Sequence, residues 1–294
     1  MGRTNPFSTT YEEDTPDEVL VRDINNGSKA SLNGLILRHQ PFIYNIAWKM
    51  VNDPVQAEDL TQEALLKIIT NLGSFHGQSS FRTWAYRIVR NHFLNDRVKP
   101  SNQFAASFEE LGQLLDGSPD VSLTAEERAE KAEVIGEVRL QCLSGMLLCL
   151  TREQRLIYII GDIFNADHHV GSEIMEISRD NYRKKLSRAR KDLHNFMQHK
   201  CGLVDKSNPC RCHKKVTVAL ESGRVDAKNL LYNRKEFSTF KAALAPDADY
   251  LVDESEQLYT ELHRQHSYQT TFEKKNFLEL ILESPQWRGR LHLD

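Results

Sequence analysis

Apolar residues recur at three- and four-residue steps in every patterned stretch of this chain, and no stretch alternates as a strand would. Helices are therefore expected wherever a core is built. Between Asp53 and Lys99 the pattern predicts two of them. Asp53, Pro54 and Gln56 read as N-cap, first-turn proline and capping-box partner, opening a helix that turns Leu60, Ala64, Leu65, Ile68 and Leu72 inward and Asp59, Gln62, Glu63 and Lys67 outward. After the breaker run Ser74 to Gln78, Ser79 or Ser80 caps a second helix with Phe81, Trp84, Ala85, Ile88 and His92 on its buried side. Its opposite side carries the stripe Arg82, Tyr86, Arg90, Phe93 and Arg97, with Arg87 and Asn91 alongside. Cations hold phosphates and flat rings stack on unpaired bases, so this stripe points to single-stranded nucleic acid as well as to a plain solvated face.

Upstream, Thr15, Pro16 and Glu18 predict a capped helix through Val19, Leu20 and Ile24 that Asn26-Gly27 ends. A long amphipathic pattern from Ser28 to Val51 follows, kinked or divided at Pro41. Downstream, Pro100 to Ala129 loses periodicity and gathers acids, Gly117 and Pro119, the composition of an exposed linker. Periodicity resumes at Glu130 through Ile135, Val138, Cys142, Met146 and Leu150, and Thr151 with Gln154 restarts it. Next come a short helix HHVGSEIM, a turn EIS and a helix that Ser178 caps, burying Tyr182, Leu186, Ala189, Leu193 and Phe196. Arg179, Asn181, Arg183, Lys184, Lys185, Ser187 and Arg188 stay outside, as a helix entering a major groove requires. Beyond Lys215, helices are predicted at Asp226 to Leu231, Glu236 to Leu244, Glu254 to His263 and Thr271 to Leu282, with Ser284-Pro285 before a last turn carrying Trp287 and Leu291. Phe272, Phe277, Leu278, Ile281 and Trp287 are either the core of this extension or its partner-binding face.

The expected fold is therefore all-α, with two small helical domains joined by a flexible linker and followed by a helical extension. The boundaries fall at 1–14 (a loose start), 15–99, 100–129 (the linker), 130–200 and 201–294. With 294 residues and 40% hydrophobic content, such a chain can build two ordinary cores. No apolar run approaches the roughly 20 residues of a membrane span, and the first residues lack the pattern of a secretory leader. Five cysteines, unevenly spaced, fit a reducing cytoplasm better than a disulfide framework. The net charge of −3 conceals a basic segment around Arg82 to Lys99 and an acidic one between Ser101 and Glu130.

AEDLTQEALLKI, a Gly/Ser break and SSFRTWAYRIVRN closely resemble the second region of bacterial RNA polymerase sigma factors of the extracytoplasmic-function type. EISRDNYRKKLSRARKDL resembles their fourth region, with Glu176 standing where that family usually has glycine. The resemblance implies a non-enzymatic factor that binds core RNA polymerase and directs transcription initiation from promoter DNA. It places the polymerase contact on Asp59, Gln62 and Glu63. Melting and reading of the minus-ten element would fall to Arg82, Trp84, Tyr86, Arg87, Arg90, Asn91 and Phe93, and the minus-thirty-five element to Arg179, Asn181, Arg183, Lys184, Lys185, Ser187 and Arg188. In that family the acidic linker runs through polymerase channels otherwise filled by nucleic acid.

A stand-alone helix-turn-helix regulator is the competing class, and it explains only residues 151 to 200. An enzyme is disfavoured by the lack of a phosphate-binding glycine loop or nucleophile elbow. No cofactor is required, yet Cys201, Cys210, Cys212 and His213 cluster as soft donors in CGLVDKSNPCRCHKK. A structural zinc, a redox pair serving a metal- or redox-responsive regulator, and simple packing all remain open for them. Cys142 and Cys149 read as core. The extension is either a packing subdomain or a surface for an anti-sigma factor or another protein.

Overall fold

The computed structural model describes residues 6–7, 15–95 and 107–231. In chain order the helices are α1 (Asp17–Asn25), α2 (Lys29–Val51), α3 (Pro54–Thr70), α4 (Phe81–Asn95), α5 (Phe108–Gly117) and α6 (Ala125–Glu130). They continue with α7 (Ala132–Leu148), α8 (Arg152–Tyr158), α9 (His168–Met175), α10 (Arg179–Lys200) and α11 (Val216–Glu221). Among the described residues the only extended pairing is one isolated bridge, Cys201 with Cys210, so the all-α expectation holds. The chain divides into two compact units: 15–95 with 159–183, and 107–158 with 184–231.

In the first unit α2 packs along α3 and α1, burying Leu32, Ile43, Tyr44, Ile46, Trp48, Leu60, Ala64 and Leu65. Helix α2 runs unbroken through Pro41, where sequence predicted a kink or division. Burial of both flanks outweighs the roughly 3 kcal/mol that an interior proline costs a helix. Asn52, in the left-handed region at φ 53°, turns the chain into α3, and Asp53 accepts from the Gln56 N–H at 2.9 Å as the cap. The predicted capping role of Thr15 is not realised: Pro16 precedes α1 with no side-chain cap, and Glu18 instead accepts from the Phe81 N–H at the start of α4 (3.1 Å). Asp17 is buried and joins three helices, meeting Arg38 at 2.6 Å, His39 at 3.2 Å and Arg82 at 3.0 Å.

In the second unit the expected flexible linker carries α5 and α6. Phe108, Leu111 and Leu115 form an apolar edge within the acidic composition; the Phe108 ring lies 5.2 Å from Phe196 of α10, and Leu111 is buried. Lys200 pairs with Asp116 at 2.5 Å. Where α7 meets α8, the buried guanidinium of Arg155 donates to the carbonyls of Leu147 (2.8 Å), Leu148 (2.8 Å) and Leu150 (3.0 Å), satisfying the end of α7. Residues 226–231, expected as helix, form turns because the Asp226 carboxylate accepts from the Lys228 N–H (2.9 Å) in place of helical bonding. The later predicted helices, from Glu236 to Leu291, lie outside the described residues.

Candidate functional site

Helix α3 presents the residues predicted for polymerase contact. Asp59 and Glu63 are exposed and Gln62 is half-buried, while Thr61 turns inward to bond the Ala57 carbonyl at 2.6 Å. The exposed Val55, at 67% of its free surface, extends the same face.

Between α3 and α4 a polar cleft of about 550 Å³ is lined by Lys67, Asn71, Ser74, Trp84, Ile88, Asn91 and Asn95. Its floor is held by His92, buried, whose Nδ1 lies 2.8 Å from Lys67 Nζ and whose Nε2 lies 3.5 Å from Glu63. Trp84 supplies a half-buried ring and Asn91 an exposed amide to the same cleft. This corrects the predicted faces of α4. Tyr86 and Phe93, expected outside as stacking surfaces, are each only 1% exposed, whereas Trp84, which periodicity put on the buried side and the resemblance among the minus-ten residues, reaches the cleft. The reason is that α4 is covered on more than one side. Phe7 packs edge-on to Tyr86 with centroids 5.0 Å apart, and α9 packs against α4.

The cations of α4 are engaged by protein groups. Arg82 bonds Asp17 and the Pro6 carbonyl (2.6 Å), Arg87 bonds Ser79 Oγ (3.0 Å), and Arg90 bonds Glu176 and Asn91. Arg97 lies outside the described residues.

Helix α9 occupies the predicted HHVGSEIM, capped by Asp167, which accepts from the His169 (2.7 Å) and Val170 (2.9 Å) N–H groups. Gly171 lets it close on the next helix, since a Cβ there would stand 2.3 Å from the Tyr182 ring. The turn is left-handed at Glu176 (φ 53°), the Ile177 N–H returning to the Ser172 carbonyl at 3.2 Å. Glutamate thus adopts the conformation that glycine takes readily. Ser178 caps α10 by accepting from the Asn181 N–H (3.3 Å). Arg179, Asn181, Lys184, Ser187 and Arg188 are exposed, Arg183 pairs with Asp180 (2.7 Å), and half-buried Lys185 pairs with Glu153 (2.5 Å).

Cys142 of α7, which the sequence reading placed in the core, lines one cavity with Cys210 and Cys212, and the backbone bridge between Cys201 and Cys210 sets Cys201 beside them. His213 is half-buried and does not line that cavity. A cysteine some sixty positions upstream carries no spacing signal, so only the fold reveals it.

Residues 35–100 match the model of the family sigma-70 region 2. The RNA polymerase sigma-H factor of Pseudomonas aeruginosa is 25% identical over 186 residues, covering 62% of this chain and 94% of its own. The ECF RNA polymerase sigma-E factor of Escherichia coli is 27% identical over 195 residues, covering 63% of this chain and 96% of its own. A solved structure of the sigma factor RpoE with the anti-sigma factor NepR from Bartonella quintana is 21% identical, with a TM-score of 0.39 over 55% of this chain and 94% of that one. The chain is a bacterial RNA polymerase sigma factor, its second region built from most of α2 with α3 and α4. Within that class it is of the extracytoplasmic-function type, and a stand-alone helix-turn-helix regulator would leave the match over residues 35–100 unexplained. Sigma factors as a class are non-enzymatic initiation factors. No helix among the described residues is long and apolar enough to cross a membrane.

Proposed function

We propose that the cleft between α3 and α4 receives a base drawn out of the minus-ten element, and that this capture drives promoter melting. Removing a base from its stack costs a few kcal/mol, so a receiving surface is needed. Trp84 offers a stacking face, Asn91 and Asn95 offer amides to a base edge, and Lys67 offers a cation to a neighbouring phosphate. Tyr86 and Phe93 support this wall from the core. Arg82, Arg87 and Arg90 hold the displaced backbone once their protein partners release them. Asp59, Gln62 and Glu63 contact core polymerase, and the exposed face of α10 enters the major groove of the minus-thirty-five element. The place of action is the cytoplasm, where polymerase and promoter meet.

The observation that carries the reading is the convergence of one accessible aromatic ring and side-chain amides on a cleft large enough for a base. Substituting Trp84 and Asn91 by alanine should leave binding to core polymerase and closed-complex formation intact while suppressing strand opening. A template already mismatched at the minus-ten segment should restore much of the lost transcription, because its unpairing free energy has been supplied beforehand. Permanganate reactivity of unpaired thymines on both templates measures this, and equal loss on the two would overturn the base-capture role.

A further inference from the structure

The loop from Cys201 to Cys212 is closely built. The Gly202 N–H donates to the Cys210 carbonyl at 3.2 Å, next to the parallel bridge between Cys201 and Cys210. A Cβ at Gly202 would stand 2.3 Å from that carbonyl oxygen, so the approach needs glycine. Asn208 Nδ2 donates to the Gln198 (2.9 Å) and Cys201 (3.2 Å) carbonyls, and Arg211 closes the loop on the Lys206 carbonyl at 2.7 Å. The Val204 and Asp205 N–H groups donate to the Cys201 carbonyl at 3.2 and 3.1 Å, folding the loop back on that cysteine.

Against this loop stands α7. Cys142, Cys210 and Cys212 line one cavity walled by Leu111 and Val138, and the bridge to Cys210 places Cys201 at its edge. Lys215 lines the same cavity, and the Arg211 guanidinium donates to the Cys210 carbonyl at 3.0 Å. None of the five cysteines is in a disulfide, and among the described residues no three donor side chains already converge as a coordination shell.

We propose that Cys142, Cys201, Cys210 and Cys212 are the thiolate ligands of one soft divalent cation of the zinc class, which fastens loop 201–212 to α7. Four sulfurs suit the tetrahedral preference of zinc, and the cation neutralises charges that an apolar cavity would otherwise forbid. On binding, the thiols turn inward and each gives its proton to solvent. Arg211 on the Cys210 carbonyl and Asn208 on the Cys201 carbonyl form the supporting contacts that orient the loop carrying such ligands. His213 takes no part.

The test uses full-length protein, reduced, stripped with chelator and titrated with zinc or with cobalt(II) as a spectroscopic substitute. Uptake of about one metal per chain is expected, with the charge-transfer bands of cobalt–thiolate bonds in a tetrahedral field. Serine at Cys142, Cys201, Cys210 or Cys212 should weaken zinc binding roughly ten-fold or more. Cys149→Ser and His213→Ala should leave it unchanged. Because a ligand variant can fail to fold, the wild-type chain supplies a second readout: zinc should protect those four thiols from alkylation, mapped by mass spectrometry, and leave labelling of Cys149 as it was. Absence of uptake, a disulfide among the four cysteines in the air-equilibrated protein in place of metal, or binding that depends on His213 rather than Cys142 would overturn the assignment. None of these readouts involves transcription, so they stand apart from the promoter-melting test.

Discussion

Arg90 Nη1 stands 2.6 Å from Glu176 Oε2, so the helix carrying Asn91 is tied to the left-handed turn before α10. To hold a phosphate Arg90 must leave this carboxylate. A partly exposed pair contributes about 0.2–1 kcal/mol. Glu176→Gln should therefore tighten binding of a minus-ten single strand by up to about five-fold, measured by fluorescence anisotropy. Glu176→Gly should do the same and also relieve about 1 kcal/mol of left-handed backbone strain, visible as a higher unfolding midpoint. Unchanged affinity in both variants would mean the ion pair does not restrain α4.

The reversed faces of α4 give a second expectation. Phe93→Ala removes a ring that is 1% exposed and should cost about 3–5 kcal/mol of stability in urea denaturation. Trp84→Ala, which opens one side of a cleft, should cost clearly less and act on strand opening instead. A larger loss for Trp84 than for Phe93 would reverse the assignment.

Asp17 sets an acid limit. Burial on its own raises the carboxyl pKa, but bonds from His39 and Arg38 and the charges of His39 and Arg82 outweigh it and hold the group well below its ordinary 3.8. A depressed folded pKa means that its stabilisation is fully present above that ordinary value and is lost as pH falls below it toward the folded value. Asp17→Asn should lower stability at neutral pH by about 3–5 kcal/mol, because Arg38 and His39 stay buried after losing the Asp17 carboxylate. It should also flatten the acid limb of the stability–pH curve, and a limb of unchanged steepness would refute this origin.

On α10, Lys184 and Arg188 are exposed and form no ion pair among the described residues. Each alanine substitution should lower the slope of log affinity against log salt for minus-thirty-five duplex by about one. Arg183→Ala should change the slope less, since Asp180 already neutralises it. Equal slopes for wild type and the Lys184 and Arg188 variants would place that face away from the phosphates.

What could be read from the sequence was what local chemistry decides. HHVGSEIM, the Ser178 cap and the inward row from Tyr182 to Phe196 all depend on neighbours a few positions away, and each is found as expected. The facing of Tyr86 and Phe93 was not legible, because the arc a helix buries is set by what covers it, here Phe7 and α9 from distant sequence. Acidic composition hid the apolar edge of α5. Thr15 and Glu18 have the spacing of a cap, yet Glu18 serves α4, a choice made by tertiary proximity.

The guanidinium of Arg155 has a mechanical consequence. By gripping three carbonyls at the corner of α7 and α8 it welds the two helices into a bracket, one arm bearing Cys142 and the other Glu153, whose carboxylate holds Lys185 on α10. Cys142 on one arm and the basic helix held by the other are thus joined by three carbonyl bonds and one ion pair.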